Sequence, residues 1–487
     1  MLIAYNKPMR SKIIKNAVWL FSGQAIGRAL RAILIVVAAR TLGVSDWGVF
    51  AYAISLAATF TVFSDIGINA LLVREGSRNA KLAIKYLATG LVIKLTLIAV
   101  LATLVFLLKD VIIRIPEATV LIPLIIVIFA IDSLRDFVSA LARFTERMDI
   151  EAKGQIITNM GIVTFGLLFL AASPSSASLA LGYVLGTFLG LVVVFLPLKS
   201  YFKGIFREFS RPLVRSIIVS AWPFGLVGLM GVIMINTDIL VLGAIGQATD
   251  VGLYAAAQKP VQLLYLIPSV LAAAFFPTMS REAGDTGQFR STLEKGLKSA
   301  YIFAIPLAFG GVLTASPIIS FLYGPEFLLS YSSFAILSLT FLFVFPSVFF
   351  ANALFARGSQ KVFYGYLAIG VLVNIALNLI LIPYLGIIGC ALATLIVQAF
   401  LFLYGVVHLK RSLSFSVFPG IGRAIISAFI MILLIVALLW INAHPLIIVS
   451  LGATVYFLSL FILREPMLRE IIAIFRRNPN ITSGVEV

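Results

Sequence analysis

The chain has 487 residues, of which 61% are hydrophobic and 12% are charged. An ordinary soluble domain carries about 25% charged residues, so this composition excludes one. The mean hydropathy is +1.09, and apolar runs recur that are about 20 residues long, enough to cross a bilayer as a helix. The single cysteine, Cys390, excludes an intramolecular disulfide and a cysteine-based metal cluster. We therefore expect an all-α, polytopic membrane protein.

The hydrophobic runs predict fourteen transmembrane helices, called spans 1 to 14 in chain order. Their lengths suit a hydrocarbon core about 30 Å thick. The spans are 17–40, 48–73, 83–108, 118–142, 155–172, 179–198, 216–243, 251–279, 299–323, 331–356, 362–384, 387–408, 424–441 and 446–463. The basic N-terminal segment leads straight into span 1, without the short apolar region of a signal peptide, so we expect no cleaved leader.

Lysine and arginine predict the orientation of the spans. Of the 37 cations, 29 fall on the termini and on alternate connections, three fall on the opposite side, and five lie inside spans. The positive-inside rule then places both termini in the cytoplasm, and we expect a multi-pass protein of the cell membrane. The net charge of +17 thus reflects topology, and no nucleic-acid partner is expected.

Residues 201–215 alternate large apolar with basic side chains, as in Phe202-Lys203 and Phe206-Arg207. The pattern predicts a short amphipathic helix on the inner leaflet, with an ordinary basic loop as the alternative. The segment lies midway along the chain, where a linker between two halves would lie.

A short motif occurs twice: residues 46–51 read DWGVFA and residues 250–255 read DVGLYA. Each copy follows the first span of its half, 204 residues apart. Because the two copies occupy equivalent positions, they favour two parallel six-helix bundles with a binding site between them. The alternative is that similar turns arose independently in the two halves. We predict an N-terminal bundle at 1–200, a linker at 201–215, a C-terminal bundle at 216–410, and two additional helices with a cytoplasmic tail at 411–487.

Four cations lie within the first four spans: Arg28, Arg31, Lys94 and Arg135. A cation in hydrocarbon costs about 2.5–3.5 kcal/mol on insertion scales, so these side chains should face a polar cavity. Arg28, Arg31 and Gln24 share one face of span 1. Arg28 lies about 17 Å along the helix, near the bilayer centre, and is predicted to bind substrate with Gln24 and the other three cations.

Three carboxylates accompany these cations: Asp65, Asp132 and Asp136. Lys94 could pair with Asp65, and Arg135 with either neighbouring aspartate. These carboxylates are therefore candidates either for charge pairing or for coupling to a proton or sodium ion. Span 1 contains no carboxylate, so its two arginines favour an anionic ligand, and arginine binds phosphate in bidentate fashion.

The second half differs at the equivalent positions, since Val232 and Ile235 replace the two arginines of span 1. Asp238 and Lys259 lie at similar depth and are expected to pair with each other. An asparagine pair in span 11, which includes Asn378, is typical of hydrogen bonds between membrane helices.

Several motifs together resemble a known family. They are ARTLG at 39–43, DWGVFAY at 46–52, DIGIN at 65–69, VRE at 73–75, TD at 237–238, VGLYAA at 251–256, YGPEF at 323–327 and IPYLGIIG at 382–389. The chain is similar over nearly its whole length to the polysaccharide flippases, of oligosaccharide or O-antigen type, of the multidrug/oligosaccharidyl-lipid/polysaccharide exporter superfamily.

The resemblance implies a flippase that moves polyprenyl-(pyro)phosphate-linked oligosaccharide from the inner to the outer leaflet by alternating access. It implies no defined catalytic residue, and we expect no metal site and no cofactor. We expect membrane lipids as partners, glycan polymerases or glycosyltransferases of the same pathway as further partners, and a monomer. Two alternatives stay open: a lipid II flippase and a cation-coupled multidrug exporter. An enzyme is not expected, because the predicted loops are short and no phosphate-binding loop motif occurs.

Overall fold

The computed structural model describes residues 7–78 and 80–468. Within these ranges the chain forms helices with short connections and no strand. The α-helices are α1 (Lys7–Phe63), α2 (Ile68–Arg78), α3 (Ala80–Leu107), α4 (Lys109–Ile112), α5 (Ile122–Phe144), α6 (Met148–Ala172), α7 (Ser176–Phe195), α8 (Arg211–Ile245), α9 (Ala248–Leu264), α10 (Leu266–Arg281), α11 (Thr286–Leu313), α12 (Ala315–Tyr323), α13 (Tyr331–Leu339), α14 (Phe341–Ala356), α15 (Gln360–Lys410), α16 (Gly422–Trp440) and α17 (Pro445–Ile462). Four 3₁₀ helices cover Pro116–Leu121, Leu196–Phe202, Ile205–Glu208 and Pro325–Ser330.

The predicted all-α membrane architecture is confirmed. Among the described residues, 12 helical segments are long and apolar enough to cross a membrane. Two of these segments each contain two helices joined at a glycine with positive φ: Gly43 (φ 73°) in α1 and Gly386 (φ 54°) in α15. A positive φ is cheap for glycine and ends a right-handed helix. Dividing the two segments there gives the fourteen spans expected from the sequence.

Predicted span 2 is interrupted by a turn at residues 64–67, where Ile66 and Gly67 both adopt positive φ. A Cβ on Gly67 would lie 2.2 Å from the carbonyl oxygen of Ala221. Glycine is therefore needed here both for the backbone conformation and for the close approach of α8. The turn places Asp65 three residues before the start of α2.

The two copies of the repeated motif pack directly against each other. A Cβ on Gly48 would lie 1.8 Å from the carbonyl oxygen of Ala248, and one on Gly252 would lie 2.0 Å from that of Val44. These two contacts are related by the same 204-residue offset as the motifs. Glycine at this spacing lets helix backbones approach closely, so the repeat detected in the sequence forms a symmetrical helix crossing.

Helices α6 and α7 pack tightly because α7 carries Gly182, Gly186 and Gly190 at four-residue spacing. A Cβ on Gly186 would lie 2.3 Å from the backbone nitrogen of Ile162. Small residues at this spacing are a common helix-packing device in membranes. The close contact brings α7 side chains next to the polar face of α6.

The predicted amphipathic helix at 201–215 is wrong. The segment contains the end of one 3₁₀ helix (Leu196–Phe202), a second 3₁₀ helix (Ile205–Glu208) and the start of α8. Gly204 separates the two short helices with φ 67°, which a right-handed helix cannot accommodate. The segment is nevertheless amphipathic, since Ile205 is buried while Lys203 and Arg207 are exposed.

The chain forms two compact units by internal contact: Met1–Ala256 with Asn378–Ile387, and Ala257–Leu377 with Ile388–Val487. Within the first unit, α8 packs against α1, α2 and α3. Within the second, α11 packs against α10, α13, α14 and α16. The bundle boundaries predicted from the sequence stay a prediction.

A buried ion cluster joins the last helices of the second unit to α11. The Glu465 carboxylate is 1% exposed and lies 2.5 Å from Lys298 Nζ and 3.6 Å from Arg423 Nη1. A charge that leaves water needs such partners to offset its desolvation. The cluster therefore fixes the ends of α16 and α17 on α11.

Candidate functional site

Lys94 lies in a fully packed environment on α3 and is 1% exposed. Its Nζ donates to Asp65 Oδ1 at 2.8 Å and to Asn69 Oδ1 at 3.4 Å, and it lies 5.8 Å from the centre of the Phe137 ring. The predicted pairing of Lys94 with Asp65 is confirmed. The same Asp65 oxygen accepts from the backbone N–H of Asn69 at 3.3 Å, so this ion pair also orders the start of α2.

Arg135 on α5 is held by two carboxylates of its own helix. Its Nη1 lies 2.9 Å from Asp132 Oδ1, and its Nη2 donates to Asp136 Oδ1 at 3.1 Å. The guanidinium is 11% exposed. The ion pairs expected from the sequence are therefore present, and their two carboxylates outnumber this single cation.

Arg31 on α1 makes contacts that the sequence did not reveal. Its Nε donates to Asn159 Oδ1 on α6 at 2.5 Å, and its guanidinium lies 5.9 Å from the centre of the Tyr183 ring on α7. The Asn159 amide is oriented by its own Nδ2, which donates to the carbonyl oxygen of Gln155 at 2.6 Å. Asp132 on α5 also interacts electrostatically with Arg31.

These contacts correct one step of the sequence reasoning. Span 1 has no carboxylate, but the fold brings Asp132 into electrostatic interaction with Arg31, although that carboxylate also pairs with Arg135. Within the described part of the chain, only Nε of the guanidinium makes a hydrogen bond. Its two terminal amino groups have no partner there and can bind an anion in the fork geometry that suits phosphate.

The other two predicted residues of span 1, Gln24 and Arg28, have side chains outside the described residues. Between them, Gly27 is buried against α6, and a Cβ there would lie 2.3 Å from Asn159 Nδ2. This glycine lets the polar face of α1 approach Asn159 one turn before Arg31.

The residues missed by the sequence reasoning are Asn159 and Tyr183. Both are buried within apolar spans, where a polar side chain usually faces the bundle interior. An asparagine near the start of the apolar run of span 5 was the available signal. Tyr183 gave none, because tyrosine is common in membrane helices.

Six of the eight predicted site residues have described side chains, and all six belong to the first unit; we call them the charged layer. The turn before α2 contributes Asp65, α3 contributes Lys94, α5 contributes Arg135 with its two aspartates, and α1 contributes Arg31. Lys94 and Arg135 are engaged by carboxylates. Arg31 is the cation of the described layer with free donors.

In the second repeat, a buried carboxylate accepts hydrogen bonds from two uncharged side chains. Asp238 on α8 accepts from Tyr254 Oη at 2.6 Å and from Asn378 Nδ2 at 2.8 Å. The expected role of Asn378 in joining helices is confirmed. The pairing of Asp238 with Lys259 stays a prediction.

Comparison with known proteins agrees with this architecture. A solved structure described as "Lipid II flippase MurJ, inward closed conformation" superposes with a TM-score of 0.74 at 21% identity, covering 93% of this chain and 99% of that one. At this identity the likeness shows the fold alone.

Two relatives in Haloferax volcanii are named as flippases. "Probable flippase AglR" is 32% identical over 164 residues, which is 33% of this chain and 34% of that protein. "Probable low-salt glycan biosynthesis flippase Agl15" is 22% identical over 384 residues, covering 78% of this chain and 80% of that protein. The alignments with three curated relatives, AglR among them, span less than two thirds of those proteins.

The sequence model described as "Polysaccharide biosynthesis protein" matches residues 13–282. This match includes all the residues of the charged layer and both copies of the glycine motif. It also agrees with the superfamily indicated by the sequence motifs. Since more than half of the chain is matched, the protein belongs to the polysaccharide biosynthesis protein family.

Proposed function

We propose that the protein is a flippase that moves a polyprenyl-(pyro)phosphate-linked oligosaccharide from the inner to the outer leaflet of the cell membrane by alternating access. The observation that carries the proposal is Arg31, a cation inside the membrane layer with terminal donors that no described residue engages. The names of AglR and Agl15 support the same activity.

The physical problem of such a flippase is to carry a phosphate group through hydrocarbon. An ionised group in an apolar medium must be paired and hydrogen-bonded to be tolerated. Arg31 offers a planar donor fork, while Asn159 holds its Nε and Tyr183 packs near its face. This arrangement presents the outer edge of the guanidinium in a fixed orientation, which lowers the entropy lost on binding.

Lys94 and Arg135 have a different part in this proposal. Their carboxylate partners lie within 3.1 Å, so they contribute to the field of the layer more than to direct contacts. The balance between these cations and their carboxylates matters, since excess positive charge attracts the phosphate and excess negative charge would repel it. Arg28 and Gln24 are proposed to extend the anion site along the same face of α1.

The symmetrical glycine crossing supports alternating access. The topology from lysine and arginine puts both motifs at the outer face, where Gly48 and Gly252 lie against carbonyl oxygens of the opposite motif. At these two glycines the backbones meet with no intervening Cβ, while Trp47 and Tyr254 of the two motifs are buried. We propose that the crossing opens when the substrate leaves toward the outer leaflet.

Two other functions share this fold. A lipid II flippase would use the same diphosphate chemistry, and the choice between the two depends on the glycan. A cation-coupled multidrug exporter would need an acidic site for organic cations, whereas Arg31 here offers donors. Coupling to a proton or sodium ion through Asp65, Asp132 or Asp136 stays a prediction, as do the monomeric state and the pathway partners.

The test compares Arg31→Ala, Arg31→Lys and the control Arg114→Ala in purified protein reconstituted into vesicles. A charge-assisted hydrogen bond contributes about 1.5–3 kcal/mol, so loss of the fork should lower lipid-linked oligosaccharide transport about ten- to hundredfold. Lysine should restore part of the rate, because it keeps the charge without the fork. Arg114 is exposed outside the layer, and its variant should transport normally.

The vesicle assay also separates the candidates. Transport of lipid-linked oligosaccharide but not lipid II supports the proposal, and the reverse supports the alternative. Unchanged transport in Arg31→Ala, at normal abundance, would remove the anion site.

A further inference from the structure

A second cationic feature lies outside the charged layer, at the first turns of α8. An open pocket of about 650 Å³ is lined by Phe209, Arg211, Val214, Arg215, Ile218 and Val219. It combines two cations with four apolar side chains on one short stretch of chain. The flippase mechanism proposed above does not use it.

The two arginines form one edge of the pocket. Arg211 and Arg215 are spaced four residues apart, so they lie on the same side of α8 about 6 Å apart at Cβ. Both are exposed, and neither makes an ion pair or a side-chain hydrogen bond within the described ranges. Residues 196–215 contain five cations and a single carboxylate, Glu208, so the local field is strongly positive.

The apolar part of the pocket continues along α8 away from the arginines. Val214 packs on the buried cluster that joins α2, α3, α5 and α8. Ile218 and Val219, one turn further, are exposed at 42% and 60%. A ligand that fits this sequence of surfaces has an anionic head and an apolar chain.

The pocket is held in place by the surrounding structure. The backbone N–H of Ser210 donates to Thr89 Oγ1 on α3 at 3.1 Å, and Thr89 is buried. Ile205, before the pocket in sequence, and Ile217, between two of its lining residues, are both buried in the cluster. The two arginines therefore extend from a well-packed backbone. Such a fixed position favours ligand binding more than a mobile basic loop would.

We propose that this pocket binds an acidic phospholipid of the cytoplasmic leaflet. Its phosphate lies between the guanidinium groups of Arg211 and Arg215, and its acyl chain follows Val214, Ile218 and Val219. The leaflet follows from the lysine and arginine distribution, which places the start of α8 at the cytoplasmic surface. Arginine suits a phosphodiester, and the open apolar side of the pocket faces the position of the lipid chains. The proposal is independent of which substrate the protein transports.

The test measures thermal stabilisation and retained lipid for purified protein in nanodiscs that contain phosphatidylglycerol or only phosphatidylcholine. The pocket variant is R211Q with R215Q, and the matched control is K203Q with R207Q. Both remove two positive charges from the same exposed segment, but only the first pair lines the pocket. A third variant, R211K with R215K, keeps the charge and removes the guanidinium fork.

Phosphatidylglycerol should stabilise the wild type and the control and remain bound in native mass spectrometry. The R211Q/R215Q variant should bind it at least tenfold more weakly, with the lysine variant between. Equal weakening in the pocket and control variants would mean diffuse attraction and would overturn the site. A second outcome would also overturn the site: polyprenyl diphosphate binds to this pocket and phosphatidylglycerol does not displace it. The pocket would then be an entry site for substrate. Flipping rates are measured separately in vesicles of phosphatidylcholine, without acidic lipid. They test the proposed function independently of the phospholipid site.

Discussion

The Lys94–Asp65 pair offers the sharpest test of how the charged layer is held together. Lys94 is 1% exposed and Asp65 is 22% exposed, so removing either partner leaves charges in very different surroundings. Asp65→Asn leaves the Lys94 ammonium without its carboxylate in a packed environment. Lys94→Met leaves the Asp65 carboxylate without its cation, but that carboxylate still reaches solvent and still accepts from the Asn69 N–H.

Removing one partner of a buried ion pair costs about 3–5 kcal/mol. We expect Asp65→Asn at the upper end of this range and Lys94→Met at or below the lower end. The double variant replaces the pair by an uncharged pair of similar volume. It should recover most of the lost stability, because it leaves no uncompensated charge.

The assay is unfolding in mixed micelles, with the free energy of unfolding compared across the four proteins of the double-mutant cycle. The vesicle transport assay on the same proteins then tests function. A stable double variant that transports normally would make Lys94 a purely structural residue, whereas a stable but inactive one would place it in the substrate path. The reasoning fails if the two single variants lose equal stability, or if their losses simply add in the double variant.

The remaining predictions concern the glycine crossing and the second unit. Gly252→Val should separate the outer turns, because its side chain would meet the Val44 backbone carbonyl, which cannot rotate away. A cysteine introduced as Val44→Cys should then react faster with an impermeant thiol reagent in the Gly252→Val protein than in the protein that keeps Gly252. An unchanged rate would show that the crossing does not close the outer face. Glu465→Gln should lower the stability by about 3 kcal/mol, since it leaves Lys298 without its closest carboxylate. Glu465→Gln combined with Lys298→Met should restore it, and no rescue would mean that the cluster is not a coupled unit.

The sequence alone determined the features that depend on local chemistry and on the bilayer. The fourteen spans follow from runs of apolar residues, because every backbone polar group in hydrocarbon must be satisfied within a helix. The Arg135 pairs were predictable since their partners lie one turn away or adjacent. The repeated glycine motif was visible because both copies kept their order and spacing.

Only the tertiary structure decided the features that depend on distant segments meeting. Arg31 meets Asn159, 128 residues away, because Gly27 lets α1 pack closely against α6. The amphipathic pattern at 201–215 could not reveal that Gly204 breaks the helix, since period and composition do not report a positive φ. The partners of a buried charge are set by helix packing, so the sequence identified the cations while the fold determined which of them keeps free donors.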